Sequence, residues 1–191
     1  MLMRYDARER ALNAGAFAFF MTAALLGELL GSLGTALTDS PFTYGLAVYS
    51  GFGSGDALRS ALSALFGTSI YMSAVFILGF FPMGQPLCAA VMLLRGIGQG
   101  AVLSQLYLTV RSGELAGLFV GFILPNTLTA AALSLACNEA VTLSNAYLRH
   151  TFSDRQVLGM KDTVRLYVIR FLQLELVCAA ASVLIYLSGS I

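Results

Sequence analysis

Glu28, Arg95 and Glu139 each stand inside a long apolar run, and no other feature of the sequence is as demanding chemically. A charge at the centre of a lipid-embedded helix costs about 2.5–3.5 kcal/mol on insertion scales, so it is kept where it is paired or used. The chemistry open to these three is ion pairing that fixes how helices dock, or the lining of a polar cavity. Arg95 lies mid-run and is expected to pair with Glu139 or Glu28. The competing reading is snorkelling toward the headgroups, which becomes less effective with depth. Arg170 is nearer the edge of its run and can snorkel; Glu175 is read as an imperfect partner for Arg170 or as facing the partner of Glu28.

Reactive groups arranged for catalysis are missing. The single histidine, His150, has no nucleophile with a second base nearby, and Cys88, Cys137 and Cys178 sit apart in apolar runs where thiols behave as small buried hydrophobes. One His and scattered cysteines do not make a metal site. Gly51-Phe52-Gly53-Ser54-Gly55-Asp56 lacks the lysine and the preceding strand of a phosphate loop and reads as a turn. Nothing in the spacing brings Asp39, Asp56 or Glu114 together as paired carboxylates. The chain therefore reads as a non-enzyme with no cofactor and no metal.

The elements that must hold the charges follow from composition. Of 191 residues, 58% are hydrophobic and 11% charged, with a mean hydropathy of +0.79, against about 45–50% and about 25% in soluble domains. Water would not dissolve such a surface, so the partner the composition demands is membrane lipid. The 11 basic and 10 acidic residues nearly cancel, which leaves no field to attract nucleic acid.

The expected fold is all-α, a polytopic single membrane domain over 1–191 with about five transmembrane helices. The first spans 11–37; at this length it is an uncleaved span rather than a signal peptide, whose apolar region is about 7–15 residues. An external loop over 38–56 is rich in Gly, Ser and Thr, and Asp56 caps an interfacial helix over 57–66 whose Leu58, Ala61, Leu62 and Leu65 form an apolar face. The second span, 67–81, turns through Phe81-Pro82-Met83-Gly84-Gln85-Pro86 into the third, 87–110. The stretch 115–148 is too long for one straight crossing, and Pro125-Asn126 is expected to break it into a kinked or discontinuous fourth element. A basic loop over 149–165 precedes the fifth span, 166–187.

Small residues recur four apart as Gly27 and Gly31, Gly96 and Gly100, and Gly117 and Gly121, a spacing that lets helix backbones approach closely in lipid, within the chain or in a homo-oligomer. Basic residues set the orientation. Arg4, Arg8 and Arg10 precede the first span and Arg149, Arg155, Lys161 and Arg165 lie between the fourth and fifth, with Arg59 and Arg111 on the other side. The N-terminus is therefore expected in the cytoplasm of a multi-pass protein of the bacterial cell membrane.

Tyr71, Ile77-Leu78-Gly79, Gly84-Gln85-Pro86, Leu94-Arg95-Gly96, Gly100 and Leu124-Pro125-Asn126, taken in order, resemble the stage II sporulation protein M family of endospore-forming bacteria. Arg95-Gly96 matches the family's basic residue and glycine in mid-helix, and Pro125-Asn126 its later proline with a polar residue following. The family's proline is often followed by Gln or His one or two positions on, whereas here Asn126 follows directly. The resemblance covers most of the chain. It implies a non-enzymatic scaffold of the engulfment machinery at the septal and mother-cell membrane, which anchors and localises the peptidoglycan-degrading sporulation proteins D and P. The alternative function is a permease or transporter-like subunit in which Arg95, Glu139 and the broken helix line a polar path.

Overall fold

The computed structural model describes residues 2–37, 57–82, 84–109, 117, 119–152 and 160–189. Among them every regular element is helical: α1 (Leu2–Leu37), α2 (Ala57–Leu78), α3 (Gly84–Thr109), a π-helical turn (Phe119–Ile123) that leads directly into α4 (Leu124–Phe152), and α5 (Met160–Gly189). Five stretches are long and apolar enough to cross a bilayer, namely Ala14–Gly34, Ala61–Leu78, Gly84–Ser104, Phe119–Leu148 and Val164–Leu187. The protein is an all-α, multi-pass membrane protein. A helix satisfies its own backbone, which is what allows a single chain segment to stand in hydrocarbon.

The interior mixes small residues, among them Ala24, Ala64, Ala136, Ala140 and Ala181, with Phe20, Met92, Phe122, Leu133 and Leu143, while Phe66, Leu172 and Leu176 are 66%, 66% and 73% exposed. Large apolar groups facing outward fit a solvent of acyl chains, and small ones facing inward let helices pack by van der Waals contact where no hydrophobic force drives them together. Hydroxyls follow the same economy: Thr22, Ser32 and Thr142 donate to the carbonyls of Phe19, Leu29 and Asn138 in their own helices at 2.7, 2.9 and 2.8 Å.

The α4 helix is central, packing on α1, α2, α3 and α5, and its span is the most buried of the five. Neighbouring side chains set the directions. Ala24 and Glu28 of α1 meet Gly96 and Gly100 of α3 in the same order, so these two helices run parallel. Contacts of Cys88 with Cys137 and of Arg95 with Asn126 make α3 and α4 antiparallel. α2 and α5 are antiparallel too, with Phe76 on Tyr167 at one end and Ser69 on Glu175 further along. The start of α1, the α2–α3 turn, the end of α4 and the start of α5 consequently share one face of the bundle.

Three boundaries differ from the sequence expectation. The interfacial helix 57–66 and the span 67–81 are one continuous helix, α2, and the face it turns inward carries Ala61 and Ala64 while Leu58 and Leu62 are exposed. Close packing in lipid selects the small face, not the large apolar one. The fourth element is not discontinuous at Pro125. Proline lacks a donor and crowds the carbonyl four residues back; the π turn immediately before it widens the helix at that point, and the span continues to Leu148. The basic loop 149–165 is shorter than expected, since helix reaches Phe152 and resumes at Met160. The external loop 38–56 and the Arg111–Glu114 turn lie outside the described residues.

The α2–α3 turn is tied on both sides. Backbone bonds run from Phe80 N to Ile77 O and from Gly84 N to Phe81 O, both at 3.1 Å, and Ser144 of α4 donates to Phe81 O at 2.7 Å. Gly79 is required here: a Cβ at this position would strike the Tyr167 hydroxyl, with the ring's Cζ 2.8 Å away. Its absence lets Tyr167 reach the Phe76 carbonyl at 2.9 Å and stack on the Phe76 ring at 5.3 Å. Pro86 falls in the first turn of α3, where its missing N–H is unneeded.

Candidate functional site

Arg95 is the twelfth residue of the span Gly84–Ser104 and is 3% exposed, a guanidinium at mid-depth in the bundle. Its Nη2 donates to the Thr129 hydroxyl and, at 3.4 Å, to Asn126 Oδ1 on α4. Thr129 in turn donates to the Asn126 carbonyl at 2.9 Å, which aims its oxygen lone pairs at the guanidinium. Asn126 and Thr129 are 7% and 5% exposed; three residues apart, they share one helix face. The Arg95 charge also reaches the Glu28 carboxyl of α1 and the Tyr71 hydroxyl of α2.

What brings α1 to this point is glycine. A Cβ on Gly27 would strike the Leu93 carbonyl, one on Gly31 the Ile97 carbonyl, one on Gly96 the Ala24 carbonyl and one on Gly100 the Glu28 carbonyl. Gly27 and Gly96 face each other so closely that a Cβ built on either lies 3.0 Å from the other's Cα. The α1–α3 seam is therefore backbone on backbone for two turns, and Arg95-Gly96 couples it to the polar node: Gly96 admits α1 while Arg95 turns to α4. Gly121 is buried in the π turn, whereas a Cβ on Gly117 meets nothing within 4 Å. The expected packing face over Gly117 and Gly121 is not formed at Gly117 among the described residues.

The expected pairing of Arg95 with Glu139 is corrected. Glu139 takes Arg170 of α5, whose Nη1 lies 2.6 Å from Oε1 and 2.7 Å from Oε2. The reason is depth. Arg95 sits level with Thr129, and ten residues of helix at 1.5 Å each carry Glu139 roughly 15 Å further along α4. Arg170 is thus an ion-pair partner at the α4–α5 surface rather than a snorkelling cation. A path lined by Arg95 and Glu139 together finds no counterpart in this arrangement: one is enclosed among α1, α3 and α4, the other faces α5.

Glu175 is bonded to Ser69 of α2, not to Arg170. Both ends are at mid-span, Glu175 the twelfth residue of the 24 in Val164–Leu187 and Ser69 the ninth of the 18 in Ala61–Leu78. Sequence reasoning missed Thr129, Ser69 and the Glu139–Arg170 pair. Thr129 was findable from its position one helical turn after Asn126. The Glu139–Arg170 pair depends on which faces of α4 and α5 meet and the Ser69–Glu175 bond on which faces of α2 and α5 meet, and no spacing within any one of these helices encodes that. Cys88 and Cys137, far apart in sequence, are neighbours, with the Cys137 thiol 3.9 Å from the Cys88 carbonyl.

Compared with protein-family models, with curated proteins and with solved structures, the chain matches none.

Proposed function

We propose that this protein is a non-enzymatic membrane scaffold of the engulfment machinery, in the manner of the stage II sporulation protein M family it resembles. The observation that carries the reading is where the resembling residues go. Arg95, Gly96, Gly100 and Asn126 form one closed interior in which three helices are pinned together. Such a node supports a rigid platform, and a rigid platform serves the holding of partners rather than the passage of a solute.

The proposed setting is the bacterial cell membrane with the N-terminus in the cytoplasm. The reading is supported by the shared face of the start of α1, the end of α4 and the start of α5, stretches that carry Arg4, Arg8, Arg10, Arg149, Lys161 and Arg165. Basic residues favour the cytoplasmic side. The loop 38–56 then lies on the cell-wall side, where the peptidoglycan-degrading proteins D and P would be held.

The test is localisation of those partners. Fluorescent fusions of the two hydrolases should gather at the septum when this gene is intact, disperse along the membrane when it is deleted, and return when the wild-type chain is supplied. Hydrolases that keep their septal position without it would overturn the scaffold reading.

A further inference from the structure

Between α2 and α5 the bundle opens a cleft of about 400 Å³, and its walls include Met72, Phe76, Ile77, Phe171, Leu172 and Glu175. Met72 and Phe171 form a buried floor, while Ile77 and Leu172 are more than half exposed, so the cleft opens on the surface that faces lipid. Its wall is apolar and aromatic, with Phe76 and Phe171 edge to face at 5.2 Å. The exceptions are the Ser73 hydroxyl and one carboxylate, Glu175, at mid-span. Its bonding partner among the described residues is the Ser69 hydroxyl, and the nearest basic group along its own helix, Arg170, is already taken by Glu139. At this depth an ionised carboxyl with no cation beside it among the described residues is costly, and a cation brought by a ligand would offset that cost.

The geometry points to a binding site for a lipophilic monocation in the α2–α5 cleft, with its charge against Glu175 and its apolar body on Phe76 and Phe171. Each part of the ligand's chemistry is fixed by a part of the wall. One carboxylate selects a single positive charge. Aromatic faces favour a cation over an anion or a neutral body of the same shape. The lateral opening selects a molecule that partitions into the bilayer before it binds, and the volume is that of an ordinary small-molecule site.

The test uses the full chain in lipid nanodiscs, with tetraphenylphosphonium as the probe and tetraphenylborate, the anion of the same shape, as its control. Saturable binding of the cation, absent for the anion, is expected. Glu175→Gln keeps an acceptor for Ser69 and should weaken cation binding by about thirtyfold or more, the low end of what truncating one partner of a desolvated charge pair costs. Ile77→Trp, which leaves the carboxylate in place and fills the cleft, should abolish binding as well. Equal uptake of both ions, no saturable binding, or unchanged affinity in Glu175→Gln would overturn the assignment. So would efficient disulfide dimerisation through Leu172→Cys in an otherwise cysteine-free chain, which would mean that a second copy covers the cleft.

Discussion

Adding one methyl group at Gly100 should loosen the whole bundle, and the size of the effect follows from the α1–α3 seam. The new Cβ would lie 2.7 Å from Glu28 Cα, where ordinary contact begins at 3.4 Å, so the helices must part by more than half an ångström. The obstacle is backbone, which has no rotamer to move aside. Overpacking of this kind costs about 1–3 kcal/mol, which for a chain of this size lowers the unfolding midpoint by roughly 2–12 °C. The protein supplies its own reporters, because Cys88, Cys137 and Cys178 are fully buried and react with a thiol-specific fluorogenic maleimide only as the fold opens. Gly15→Ala is the matched control: a Cβ there meets nothing within 4 Å, and alanine in a helix is favoured over glycine by roughly 0.5–1 kcal/mol. Gly100→Ala should therefore melt several degrees below wild type and Gly15→Ala at or slightly above it. If the two variants melt together, the close seam between α1 and α3 is wrong.

Other consequences can be checked in the same preparation. Replacing two acceptors of Arg95 with Thr129→Val and Asn126→Leu should lower the midpoint, and adding Arg95→Met should recover part of the loss, because a buried charge that loses acceptors costs more than an apolar side chain in its place; a triple variant no better than the double would sink the node. Glu139→Arg and Arg170→Glu should each reduce accumulation in the membrane while the combined reversal restores it, and an additive loss would argue against that pair. In a cysteine-free chain, Ser50→Cys should label with an impermeant maleimide from outside the cell and Ser153→Cys only after permeabilisation; the reverse pattern would invert the orientation.

Hydropathy made the five crossings plain, because a run of about 20 apolar residues has few other uses. The glycine spacing of Gly27-Gly31 and Gly96-Gly100 was readable for a similar reason: four residues apart is a property of one helix, visible without its partner. Pairings between helices were not. Arg95 could be recognised as needing a partner, yet the choice of Asn126 and Thr129 over Glu139 depends on the vertical register of α4 against α3, which Cys88 and Cys137 set a few turns away. The interfacial helix expected over 57–66 differs for another cause. Leu58, Ala61, Leu62 and Leu65 look like the apolar face of a surface helix, but that helix runs on into the span, with Leu58 and Leu62 exposed and Ala61 and Ala64 turned in. Pro125 announced an irregularity without its form, since a π turn and a break leave the same signature in the sequence.

The scaffold reading is tested most directly in cells. Under sporulation conditions, the mother-cell membrane of a strain lacking this gene would be followed with a lipophilic dye as it moves around the forespore. Arrest at a flat or bulging septum, relieved by the wild-type chain, is the predicted result. Complete engulfment at the normal pace without the gene would contradict it.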